Sequence, residues 1–194
     1  MRAICMGGDL PGPELPGKSG KVNAQPERLF VSEVATPVGT LLCVTDGASV
    51  VRVVDWADCP ERFARLLSRY CHTSAEVLAP RGPPSHAHDV LGRYFAGEVG
   101  ALDQMDVCLP GTAFQRAVWG SLRLVPAGQT VSYAELARRA GRPGASRAAG
   151  AANGANPISV VVPCHRAIGS NGDLTGYAGG LARKRWLLAH ESGA

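Results

Sequence analysis

Asn156-Pro157-Ile158-Ser159-Val160-Val161-Val162-Pro163-Cys164-His165-Arg166 combines an apolar, β-branched run with a proline and a potential nucleophile. The run from Ile158 to Val162 predicts a buried strand, and Pro163 stops it, so Cys164 falls where the chain turns. Neighbouring strand residues point to opposite faces. Cys164 and His165 therefore cooperate only if the backbone bends between them, as the preceding proline favours. A lone thiol here would read as core, because free cysteine is among the most buried residue types. The imidazole, guanidinium and asparagine crowded around this one point instead to a built site.

Upstream, Thr112-x-x-Gln115 has the form of a capping box ahead of Phe114, Val118, Trp119 and Leu122 at helical spacing. Ser132-x-x-Glu135 caps a second helix running to Ala140, and Gly141-Arg142-Pro143-Gly144 separates it from a third over 145–152. Helix, short glycine-containing turn, helix is the helix-turn-helix layout. The third helix carries Ala145, Ser146, Ala148 and Gly150, and among its small residues only Arg147 is long. Readers of the major groove use several polar side chains, which this helix lacks. Downstream, Gly169-Ser170-Asn171-Gly172 forms a turn and 174–180 a glycine-rich loop. Arg183-Lys184-Arg185 then precedes the apolar Trp186-Leu187-Leu188.

Pro163-Cys164-His165-Arg166, with Asn156-Pro157 before it and Gly176-Tyr177-Ala178-Gly179-Gly180 and Trp186-Leu187-Leu188-Ala189-His190-Glu191 after it, resembles the signature of the O6-alkylguanine-DNA alkyltransferases. This family is also called the methylated-DNA-protein-cysteine methyltransferases. The resemblance runs without an evident gap from Thr112 to Glu191 and more loosely over 28–110. It implies direct, irreversible transfer of the alkyl group from O6-alkylguanine in DNA to the protein's own cysteine, in a single turnover and without a cofactor. Cys164 matches the acceptor, His165 and Glu191 the relay acting on it through a water, Asn156 the residue holding the turn, and Tyr133 the proton donor to the leaving guanine. Arg147 matches an arginine that fills the gap left by the flipped base, on a minor-groove helix formed here by Ala145, Ser146, Ala148 and Gly150. Tyr177, Ala178 and Lys184 match the substrate pocket. Ala178 stands where some relatives carry serine, so a backbone amide would replace that side-chain hydrogen bond. The resemblance implies a ribonuclease-H-like antiparallel sheet with helices, followed by a mostly helical, winged-helix-like domain: an α/β unit plus an α unit.

The 194 residues suffice for a sizeable core. Residues 1–109 hold 10 Lys+Arg against 13 Asp+Glu, net −3, whereas 110–194 hold 10 against 3, net +7. The basic, arginine-rich half is the one that contains Cys164, which favours a nucleic-acid partner, and the resemblance implies double-stranded DNA. No apolar run reaches the roughly 18 residues of a membrane span, and no signal-peptide core is present, so a cytoplasmic location is expected. A monomer is also expected. The six cysteines form no C-x-x-C pair and are expected as free thiols. His86, His88 and Cys71-His72 match no standard zinc spacing, so no metal is expected.

Residues 1–26, broken by Pro11-Gly12-Pro13 and Pro16-Gly17, read as a flexible tail. Over 27–109, strands at 28–35, 41–45 and 50–54 form an antiparallel meander, and helices at 61–70 and 89–95 cover it as a scaffold domain. Residues 110–194 form the DNA-binding and catalytic domain. A cysteine hydrolase would use the same thiol and imidazole but would turn over. The other alternative is a DNA-binding damage sensor or regulator without turnover chemistry.

Overall fold

The computed structural model of the protein describes residues 28–74, 78–80 and 85–193. The tail read over 1–26 lies outside these residues. The first three strands, β1 (Phe30–Thr36), β2 (Gly39–Thr45) and β3 (Val51–Trp56), form the expected antiparallel meander, with Val34 opposite Leu41 and Cys43 opposite Val54. Helix α1 (Pro60–Cys71) follows. It buries Phe63, Leu66, Leu67 and Tyr70 on one face, as their spacing requires.

A fourth strand, β4 (Ala79–Pro80), corrects the expectation of a purely antiparallel sheet, because it pairs parallel to β1. The order is therefore β3-β2-β1-β4. The crossover through α1 permits parallel pairing, and Pro80, with no N–H to give, suits a two-residue edge strand. Helix α2 (His86–Phe95) begins one turn earlier than the apolar spacing indicates, because Ser85 accepts a hydrogen bond from the His88 N–H and caps it.

In the second half, α3 (Ala113–Arg123) opens on a complete capping box: the Gln115 N–H donates to Thr112 Oγ1 and the Thr112 N–H to Gln115 Oε1. Two short parallel strands, β5 (Val131–Ser132) and β6 (Ala167–Ile168), flank a helix pair, α4 (Tyr133–Arg139) and α5 (Ser146–Gly154). Gly141, at φ 75°, ends α4 in a left-handed turn, with the Gly141 N–H on the Arg138 carbonyl and the Arg142 N–H on the Ala137 carbonyl. The chain closes with α6 (Leu181–Ser192). Among the described residues no helix is long and apolar enough to cross a membrane.

The stretch 158–162 is buried, but it is not the strand its composition predicts. Ile158 makes one isolated bridge to Val54, and the chain then coils on itself: the Val161 N–H donates to the Ser159 carbonyl and the Val162 N–H to the Ile158 carbonyl. Val160 sits at φ 70°, a costly conformation for a β-branched residue. The cause is Asn156, whose carboxamide accepts from the Ile158 N–H at 2.9 Å and donates to the Val162 carbonyl at 2.8 Å, occupying groups a strand ladder would need. Ile158, Val160 and Val162 remain fully buried. The β-branched character thus serves burial rather than pairing.

The two halves share one buried cluster extending from Leu41, Trp56 and Leu91 to Trp119, Leu136 and Leu187. The outer edge of β3 is covered rather than open. Val51 exchanges backbone hydrogen bonds with Asp106 and Cys108, and Val54 with Pro157 and Ser159. Arg62 of α1 pairs with the buried Asp55 of β3 and donates to the Asn156 carbonyl at 2.9 Å, tying the first half to the turn that leads to Cys164.

Candidate active site

The Asn156 clamp delivers Cys164 to the start of a 3-10 turn, Cys164–Arg166, in which Cys164, His165 and Arg166 are all buried. This bend resolves the problem that adjacent strand residues face apart. Cys164 is a free thiol, and its carbonyl accepts from Asn153 Nδ2 of α5 at 3.3 Å. Burial pushes the thiol's pKa up, while a hydrogen bond from Asn156 and the charges of Arg62 and Lys184 pull it back. The site therefore rests as a thiol and needs a base to form the thiolate.

His165 lies directly behind it and is fully buried, with Nε2 at 2.8 Å from Glu191 Oε1 of α6. Burial holds the imidazole below its ordinary pKa, and Glu191 works against that shift. Burial alone would raise the Glu191 carboxyl, yet hydrogen bonds from His165 and Arg166 and their charges hold it far below the carboxylate range. An ionised carboxylate accepts only, so Nε2 carries the proton in the neutral ring and Nδ1 keeps a lone pair. Nδ1 has no partner among the described residues.

Glu191 is held on every side. Arg166 forms a two-pronged pair with it, Nε to Oε2 and Nη2 to Oε1, each at 2.8 Å. The Tyr94 hydroxyl of α2 donates to Oε1 at 2.9 Å, and the Gly128 N–H lies 3.4 Å from Oε2. Nothing in the sequence gives Tyr94, Gly128 or Asn153 a role, and Arg166 stands out there only as part of a motif. Only Arg166 carried a local signal, its place beside His165. Tyr94 has the spacing of an ordinary core aromatic, and nothing in the sequence connects it to Glu191.

Tyr177 lies on the glycine-rich loop with its hydroxyl buried, and its ring meets that of His165 edge to face at 6.4 Å. Gly179 is required there: a Cβ would come within 2.6 Å of Trp56 Cδ1 and 2.8 Å of the Tyr177 ring. Ala178 is exposed. Lys184 is fully buried and spans the loop base, donating to the Ala167 carbonyl at 2.6 Å and the Thr175 carbonyl at 2.7 Å. It thus acts as a loop clamp here, and burial lowers its pKa. Arg183, in contrast, stacks on Trp56 at 4.3 Å and pairs with Asp58, strapping α6 to the sheet.

Tyr133 lines an outward groove of about 580 Å³ together with Ser146, Arg147 and Gly150 of α5 and Asn171 and Thr175. The Tyr133 ring packs over Gly150, where a Cβ would touch it at 3.8 Å, and its hydroxyl accepts from Thr175 Oγ1 at 3.3 Å. Arg147 is exposed and has no hydrogen-bond or ion-pair partner among the described residues. Ala148 is exposed beside it, and Ala145 precedes the first turn of α5.

Fold and site together define a protein with a buried free cysteine, followed by a histidine that a carboxylate holds, set behind a helix pair in a mixed α/β frame. The family profile of the 6-O-methylguanine DNA methyltransferase DNA binding domain matches residues 113–193. A methylated-DNA--protein-cysteine methyltransferase of Salmonella typhimurium is 49% identical over 165 residues, which cover 84% of this chain and 96% of that protein. The crystal structure of Mycobacterium tuberculosis O6-methylguanine methyltransferase superposes with a TM-score of 0.70 at 38% identity, covering 85% of this chain and 93% of that one. The same protein in complex with DNA gives a TM-score of 0.70 at 38% identity, over 86% and 93% of the two chains. The chain belongs to the methylated-DNA--protein-cysteine methyltransferase family.

Proposed function

We propose that this protein repairs DNA by moving the alkyl group of O6-alkylguanine onto Cys164 in one irreversible turnover. His165 Nδ1 takes the thiol proton through one water, and Glu191 stabilises the imidazolium that forms. The thiolate attacks the alkyl carbon. An S–C bond forms, the C–O6 bond breaks, and guanine leaves with the electron pair and gains a proton from Tyr133. The target base lies inside the duplex, so it is flipped out from the minor groove, and Arg147 on the small-residue face of α5 fills the space it leaves. Tyr177, a backbone amide near Ala178 and the loop held by Lys184 line the base pocket. Residues 27–109 act as a ribonuclease-H-like scaffold, and 110–194 as a winged-helix-like unit acting as a monomer in the cytoplasm. O4-alkylthymine is a second candidate substrate of the same chemistry.

The observation that carries this reading is the buried line from Cys164 and its neighbour His165 to Glu191, the latter two 2.8 Å apart. The test is incubation with a methylated-guanine oligonucleotide, followed by intact-protein and peptide mass spectrometry. One methyl per protein at Cys164 is expected, because a thioether has no route back to the thiol. Product exceeding protein, or a methyl mapped to Cys5, Cys43, Cys59, Cys71 or Cys108, would overturn it.

A further inference from the structure

We propose that Tyr94, contributed by the first half of the chain, is a positioning residue of the proton relay, setting the basicity of His165 through its hydrogen bond to Glu191. The inference rests on the function proposed above and extends it to a residue outside the matched domain, residues 113–193.

Three donors converge on one carboxylate oxygen. Glu191 Oε1 receives His165 Nε2 at 2.8 Å, Arg166 Nη2 at 2.8 Å and the Tyr94 hydroxyl at 2.9 Å. Tyr94 is fully buried, so no solvent competes for that hydrogen bond. Its direction is fixed by packing. The Tyr94 ring meets Phe95 and His190 edge to face at 5.0 and 5.2 Å, and the Tyr94 carbonyl is hydrogen-bonded to His190 Nε2 at 2.7 Å. Burial first, and then the Glu191 charge, push the phenol pKa far above its ordinary value, so the hydroxyl acts only as a donor.

The groups facing His165 are few. Glu191 and Lys184 come from α6, Arg166 and Cys164 from its own turn, Tyr177 from the glycine-rich loop and Tyr94 through Glu191. Each donor to Oε1 draws negative charge from the oxygen that stabilises the imidazolium. Removing the Tyr94 hydroxyl leaves a more basic carboxylate, which favours protonated His165 and raises its pKa. A protonated His165 cannot accept the thiol proton, so the acid limb of transfer moves to higher pH.

Tyr94→Phe keeps the ring contacts and removes only the hydroxyl. Single-turnover transfer from the free base O6-benzylguanine, followed against pH, should show the acid limb displaced upward by about half a pH unit or more, a loss of about threefold at a fixed pH on that limb. The ¹⁵N signals of His165 in the same variant should titrate at correspondingly higher pH. This second measurement needs no substrate. A lowered melting temperature with an unchanged pH profile and an unchanged His165 titration would reduce Tyr94 to a packing residue and overturn the inference. Failure of the wild-type protein to transfer at any pH would instead overturn the proposed function, while the imidazole titration still decides the role of Tyr94.

Discussion

Glu191 has five neighbouring donors on two oxygens, from His165, Arg166, Tyr94 and Gly128, with Arg166 supplying two of them. A buried carboxylate is costly unless its lone pairs are satisfied, and here the arginine supplies both charge and a matching fork. The consequence for His165 is that its tautomer is set and the Nδ1 lone pair is left available. If His165 and Glu191 act as a unit, His165→Phe and Glu191→Gln each slow transfer at neutral pH, and the double variant loses much less than the product of the two factors. Stopped-flow rates with O6-benzylguanine test this. Multiplicative losses, or a wild-type rate in either single variant, would separate the two residues. Asn156 acts at the same scale by a different route, since its carboxamide replaces a strand ladder with a tight loop at the cost of placing Val160 at φ 70°.

At the scale of elements, α5 joins the outer groove to the buried site. Its second residue, Arg147, is exposed, while its eighth, Asn153, holds the Cys164 carbonyl, so one rigid helix about 13 Å long relates the two. The small residues between them let the Tyr133 ring lie over Gly150. If Arg147 fills the place of a flipped base, Arg147→Ala slows transfer from methylated guanine in duplex DNA by about tenfold or more, because a few kcal/mol of unstacking goes uncompensated. Transfer from O6-benzylguanine, which needs no flipping, stays near the wild-type rate. Rates measured at saturating protein separate this from a general loss of positive charge, and equal slowing of both substrates would refute the assignment.

For the whole molecule, the shared core makes the site's protonation a matter of global stability. His165 is held below its ordinary pKa and neutral, so the unfolded chain binds a proton that the native state refuses, and stability falls as pH drops below about 6.5. Glu191 is likewise held low, and its contribution, complete above the ordinary carboxylate value of about 4.3, is lost as pH falls further. On the alkaline side, burial pushes Cys43 up to about 12, so its contribution is present below the ordinary thiol value and lost as pH rises from there through about 12. Urea unfolding at intervals from pH 4 to 10 should trace a dome with its upper shoulder near the ordinary thiol pKa of about 8.5. A free energy that stays flat between pH 7 and 5 would show that His165 is not held neutral.

What the sequence determined by itself is local in its physics. The capping box at Thr112 and Gln115, the single apolar face of α1 and the glycine stop after α4 depend on residues within a few positions of one another. The same is true of the charge division between the halves and of the motif that brings Cys164 and His165 together. Tertiary structure decided where the buried polar groups find partners. Tyr94 reaches Glu191 across 97 positions, and His165 reaches it across 26, distances over which periodicity carries no information. It also turned 158–162 from the strand its β-branched residues favour into a clamped loop, and it set β4 parallel to β1 through a crossover no short-range pattern encodes. Backbone propensity is a weak preference of about 1 kcal/mol, whereas an unsatisfied buried donor or acceptor costs about 1–3 kcal/mol. Where the two conflict around Cys164, the buried hydrogen bonds prevail.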